Sequence, residues 1–146
     1  MISQNITKLI GEAMKAHDSV RLSTLRMLSS AFNYEKIEKK HDLTEEEELV
    51  VIRKQAKERK DSIEAYDKAG RPELASSEKA ELAILQEFLP PEMDSAELEK
   101  IVTDAIASTG ATSMADMGKV IGAVKAKVGT SVEGGTIADL VKSKLA

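Results

Sequence analysis

Apolar residues return every three or four positions along almost the whole chain, the spacing of helices that each bury one face. A first helix is predicted over Ser3 to Ala16, with Ile6, Leu9, Ile10, Ala13 and Met14 turned inward. Asp18 then offers a short carboxylate to the unpaired amides at the start of a second helix, whose inward stripe is Leu22, Leu25, Leu28, Ala31 and Phe32. Thr44 and Glu47 form the T-x-x-E pattern of a capping box, and the run Glu45 to Glu48 sets negative charge on the positive end of a third helix. Leu49, Ile52, Ala56 and Ile63 are its inward positions. Adjacent carboxylates fan around a helix axis, so the acidic run reads as capping and not as a metal site.

Gly70 closes the third helix and Pro72 opens a fourth, which turns Leu74, Leu82, Leu85 and Phe88 inward and is expected to break around Ser76 and Ser77. The sequence Leu89, Pro90, Pro91 ends it. Two consecutive prolines remove two amide donors and hold the chain extended, which marks a domain boundary. The predicted fold class is therefore all-α, an N-terminal helical hairpin domain over residues 1–89 followed by a C-terminal three-helix bundle over residues 92–146. In the second domain Asp94 and Glu97 start a helix that turns Leu98, Ile101, Val102, Ala105 and Ile106 inward, and the turn STGATS breaks it. Ser113 and Asp116 repeat the capping pattern for a sixth helix over Met114 to Lys127. Thr136 and Asp139 do so for a seventh, with Ile137, Leu140, Val141 and Leu145 inward.

The sixth helix carries its apolar stripe at Met114, Met117, Ile121, Val124 and Val128, with Val120 on the edge. On its flank Gly118, Gly122 and Ala126 recur every fourth residue, although a glycine inside a helix costs about 1 kcal/mol. The simplest use of such a flank is a tight contact between two helices of the same domain. Lys119, Lys125 and Lys127 lie on or beside the non-apolar side, so a phosphate backbone or a helix of another protein would also suit it.

Composition narrows the choice. Charged residues make up 32% of the chain and aromatics 3%, with no tryptophan, which favours helices over a sandwich or barrel. The absence of cysteine excludes disulfides, thiolate metal sites and a cysteine nucleophile, and it suits a reducing compartment. With no leader pattern at the N-terminus and no run near the roughly 20 apolar residues of a spanning helix, the expected location is cytoplasmic and no membrane partner is implied. The net charge of −4 does not invite nucleic acid, but it is unevenly spread: +3 over residues 118–146 against −5 over residues 91–117. A second basic row, Arg53, Lys57 and Lys60, runs along the third helix, and Arg21 and Arg26 sit near the start of the second, where the helix dipole disfavours cations.

No nucleophile with a base, carboxylate pair or metal cluster is found, and His17 and His41 fall in polar connections, so no catalytic residue, metal or cofactor is assigned. The lack of aromatic rings around the basic residues argues against a sequence-reading platform for single-stranded RNA, whereas recognition of a folded RNA by shape and phosphate contact survives that objection.

The blocks TLRML at 24–28, RKQAKERKDSIEAYDKAGRPELA at 53–75, EFLPPEM at 87–93, MGKVIGAVKAKV at 117–128 and IADLVKSKL at 137–145 resemble the YqeY family, whose members carry the GatB/YqeY domain. The resemblance runs essentially end to end. It implies a helical N-terminal domain and a C-terminal bundle similar to the tail of the GatB subunit of glutamine-dependent aspartyl/glutamyl-tRNA amidotransferase, a domain also appended to some glutaminyl-tRNA synthetases. There the domain is understood to help hold tRNA. By that resemblance Gly118, Lys119, Gly122, Lys125 and Lys127 are the implied RNA-contact positions, followed by Lys142 and Lys144, with Arg53, Lys57 and Lys60 as a further row. The partner implied is tRNA and not DNA. The carbon–nitrogen ligase activity of the amidotransferase, with glutamine as amido-N-donor, attaches by family association only, because its metal-binding and amide-transfer machinery has no counterpart here. The alternative reading is a helical adaptor that binds a synthetase or amidotransferase subunit through the same groove.

Overall fold

The computed structural model describes residues 1–146 and contains helices and turns without strands. Its helices are α1 (Ile2–Lys15), α2 (Ser19–Lys39), α3 (Glu45–Lys68), α4 (Pro72–Gln86), α5 (Ser95–Thr109), α6 (Met117–Val128) and α7 (Gly134–Leu145), with one turn of 3-10 helix at Met114–Asp116. They fall into two compact units, Met1–Leu89 and Pro90–Ala146.

Local chemistry sets most of the helix ends in the first unit. Asp18 accepts a hydrogen bond from the Arg21 amide at 3.0 Å and caps α2. At α3 the Thr44 hydroxyl accepts from the Glu47 amide at 3.2 Å while the Glu47 carboxylate accepts from the Thr44 amide at 2.9 Å, a complete capping box. Pro72 occupies the first turn of α4, where its missing amide hydrogen has no partner to lose. The core gathers Ile6 of α1, Leu28 and Phe32 of α2, Leu43 of the α2–α3 connection, Leu49, Val51 and Ile52 of α3 and Leu85 of α4. α3 and α4 form the most extensive pairing, and α2 packs against both.

Two charged residues belong to this interior. Glu48 is fully buried: its Oε2 accepts the Ile2 amide at 3.0 Å, and its Oε1 accepts the Ser3 amide at 3.2 Å and the Ser3 hydroxyl. α1 has no side-chain cap from its own sequence neighbours, so a carboxylate 45 residues away supplies one. Arg59 is also buried. Its Nε donates to Glu81 at 2.9 Å and lies 3.6 Å from Glu78, while its Nη2 lies 3.6 Å from the Met27 sulfur, so one guanidinium joins α2, α3 and α4. The helical period explains both placements, because residues 48, 52, 56 and 59 share one face of α3.

In the second unit α6 packs against both α5 and α7, and those two meet each other. The core is Leu98, Val102, Ala105, Val120, Val124, Val128, Ile137 and Val141. Asp94 caps α5 through the Ala96 amide at 3.1 Å, and Gly110, at φ 67°, ends it in the left-handed conformation that glycine adopts without strain.

Several expectations are corrected. Met14 is exposed and not inward, since it lies at the last turn of α1. α4 runs unbroken through Ser76 and Ser77, because the Ser77 hydroxyl donates back to the Glu73 carbonyl at 3.3 Å inside the helix. Met114 is exposed in the 3-10 turn and the α-helix begins only at Met117, which moves Val120 from the edge to the centre of the buried face. Asp116 does not cap α6; its carboxylate accepts from the Thr112 amide at 3.1 Å. α7 starts at Gly134, so Thr136 lies inside its first turn.

Candidate nucleic-acid interface

Val120, Val124 and Val128 point into the second unit, and the opposite side of α6 carries Gly118, Gly122 and Ala126, all exposed. A Cβ added at Gly118 or Gly122 would meet nothing within 4 Å. The close helix-to-helix packing within one domain, expected for this small-residue flank, is therefore absent: the unit packs through valines and leaves the glycines bare. The outcome is a strip of helix backbone, about 6 Å between successive small residues at 1.5 Å per residue, that a ligand can approach more closely than any surface carrying long side chains.

Cations border this strip. Lys119, Lys125 and Lys127 are exposed and form none of the unit's salt bridges. The Lys125 chain reaches towards α7, where its Nζ lies 3.5 Å and its Cε 3.6 Å from the position a Cβ on Gly134 would take. It thus stands by the N-terminal end of α7, whose first amides carry partial positive charge, so the two add their potentials at one place. Lys142 is exposed as well, whereas Lys144 is committed to Glu99 at 3.1 Å.

The other basic row belongs to the first unit. Arg53, Lys57 and Lys60 lie on one side of α3, but Lys57 is paired with Asp61 at 3.5 Å, and Arg53 and Lys60 each have interactions of their own. With Lys68 on Glu64 at 2.7 Å, this side of α3 is mixed in charge, unlike the border of α6. Arg21 ties α2 to the end of α4 through Glu87 at 2.6 Å, and Arg26 lies 4.0 Å from the Met14 sulfur. Shifted carboxyl groups also lie away from α6. The Lys36 ammonium bonded to Asp42 at 2.5 Å, the Thr44 amide bonded to Glu47 and the Arg71 guanidinium bonded to Glu73 hold those three carboxyls below the usual range. No group of three His, Cys, Asp or Glu side chains is placed to hold a metal ion. His17 is exposed, and His41 lies 2.7 Å from the Asp42 carbonyl and 3.6 Å from Glu47.

Compared with known families, the chain matches the model of the Yqey-like proteins over residues 3–145. The chain belongs to the YqeY-like family. Among its relatives are an uncharacterised protein of Schizosaccharomyces pombe, 34% identical over 85 residues that cover 58% of this chain and 69% of that one, and "Altered inheritance of mitochondria protein 41, mitochondrial" of Vanderwaltozyma polyspora, 31% identical over 120 residues that cover 77% and 64%. The matched segment thus spans about two thirds of each relative. The second relative is named for mitochondria, a compartment the cytoplasmic expectation does not include. No helix of this YqeY-like chain is long and apolar enough to cross a membrane.

Proposed function

We propose that this YqeY-like protein is a tRNA-binding accessory factor, related in its second unit to the tail of tRNA amidotransferase, that grips folded RNA along α6 and carries no catalytic site of its own. The observation that supports the reading is the open Gly118–Gly122–Ala126 strip bordered by unpaired Lys119, Lys125 and Lys127. Phosphate oxygens need close approach and positive charge, and not aromatic rings, when an RNA is held by shape. Lys142 adds to the same unit; Lys144 and the row on α3 are secondary because salt bridges already hold Lys144 and Lys57.

The test is a titration of labelled bulk tRNA at two salt concentrations with the full chain and its Lys119→Glu, Lys125→Glu variant. Binding that weakens with salt is expected, and the slope of affinity against salt should fall by about one for each phosphate that the variant no longer neutralises. Equal affinity and equal slope in the variant refute the site.

The adaptor reading draws on the same strip, since bare glycines every fourth residue also admit a partner helix at close range. It predicts a salt-tolerant complex with a synthetase or amidotransferase subunit, lost in Gly122→Leu and kept in the double lysine variant.

A further inference from the structure

α2 is apolar on two sides. Thr24, Leu25, Leu28 and Phe32 are buried in the first unit, while along the exposed side Val20 is 43%, Met27, whose sulfur faces Arg59, 46%, Tyr34 69% and Ile37 76% exposed. Exposed Ser23 and Ser30 fall between them. Positions 20, 23, 27, 30, 34 and 37 alternate steps of three and four, the spacing that a two-stranded coiled coil uses, with four apolar residues and two serines along a 21-residue helix. A surface helix of one unit has no use for a second apolar stripe.

We propose that this seam pairs with α2 of a second copy of the chain, antiparallel, about a two-fold axis passing between residues 28 and 29. Side-chain size selects the occupant and the direction. In that register Tyr34 lies opposite Ser23 of the second copy, Met27 opposite Ser30 and Val20 opposite Ile37, so the two largest seam residues each meet a serine and the two ends meet as aliphatic pairs. A parallel pair stacks Tyr34 on Tyr34, Met27 on Met27 and serine on serine, alternating overfilled and empty layers. Charge selects the same direction. Antiparallel pairing sets Arg26 beside Asn33 of the second copy and brings exposed Lys40 to its Asp18, while Glu38 meets the positive end of the partner helix, whose first turn holds no acid. A parallel pair would set Lys40 of one copy beside Lys40 of the other, since Lys36 and Lys39 are already held by Asp42 and by Glu35 and Glu47.

The four apolar side chains offer roughly 400 Å² per copy, from the ~150–250 Å² that a large side chain presents. With the flanking residues of six layers, the pair reaches about the 1,000 Å² at which specific interfaces begin, so the dimer is reversible and concentration-dependent.

The chain has no cysteine, so single cysteines report without background. Ser23→Cys and Tyr34→Cys proteins are oxidised separately and as a mixture, with Ser143→Cys on α7 as the control, and Ile37→Asp is compared with the parent by sedimentation equilibrium. The proposal expects a disulfide dimer in the mixture, at least tenfold above the separate proteins and the control. It also expects a dimer constant weakened at least tenfold by Ile37→Asp with unchanged thermal stability of the dilute monomer. Cross-linking of each protein with itself, no cross-link above the control, or a parent chain that is monomeric at every concentration each overturn it.

Discussion

Truncating Glu48 to alanine removes the only side chain that caps α1. Three donors then lose their acceptor: the Ile2 amide, the Ser3 amide and the Ser3 hydroxyl. A lost N-cap costs about 1 kcal/mol and a hydrogen bond to a charged group about 1.5–3 kcal/mol. The Ser3 groups are only partly buried and recover some of this from water, which brings the expected loss to about 3 kcal/mol. Glu48→Gln keeps the shape and one acceptor oxygen but turns an NH₂ towards a donor, and should lose about half as much. The assay is favourable because the two tyrosines, Tyr34 and Tyr66, both lie in the first unit, so tyrosine emission follows its urea unfolding without signal from the second. Amide exchange along α1 should accelerate in the same order. A loss below about 0.5 kcal/mol for Glu48→Ala, within the range of an ordinary surface change, would refute the reasoning.

The open side of α6 predicts that Gly122→Ala stabilises the second unit by about 0.5–1 kcal/mol, because the helix gains alanine's propensity and the new methyl touches nothing. Thermal unfolding followed by circular dichroism reads it, and a destabilised variant would mean that the strip is occupied. At the start of α3 the bond from the Thr44 amide should hold the Glu47 titration midpoint below the ~4.3 of a free glutamate. A depressed folded pKa adds stability above the unfolded value and withdraws it as pH falls through the folded one, so this end of α3 should loosen only in acid. Thr44→Pro, which deletes the donated amide, should raise the midpoint; an unmoved carboxyl signal in an NMR titration would dispose of the assignment.

What the sequence disclosed was local. Asp18, Thr44 with Glu47, Asp94 and Pro72 act on amides within three residues of themselves, and their roles could be read without knowing what packs where. Reading failed where a second element decides. Glu48 and Arg59 look like solvent-facing charges in a run of charges, and only α1, α2 and α4 around them make them interior. Their period along α3, shared with Ile52 and Ala56, was the available signal. The glycines of α6 misled in the opposite direction, since small residues at fourth positions usually mark a packed face and here mark an open one. Lys144 could not be told from Lys142 until Glu99 appeared beside it.

Arg59 has a consequence for how this fold can drift over generations. Replacing it alone strands two carboxylates, Glu78 and Glu81, of which Glu78 already has a buried oxygen without a hydrogen-bond donor. Replacing Glu81 alone takes away the carboxylate to which the guanidinium is hydrogen-bonded, whereas Glu78, at 3.6 Å, contributes charge and no hydrogen bond. Exchanging all three for well-packed apolar side chains is no worse, and is often better, than the charged trio. The single steps at 59 and 81 descend and only a joint exchange climbs back, so residues 59 and 81 should be inherited together or exchanged together, a bound inheritance that α3 and α4 impose on each other.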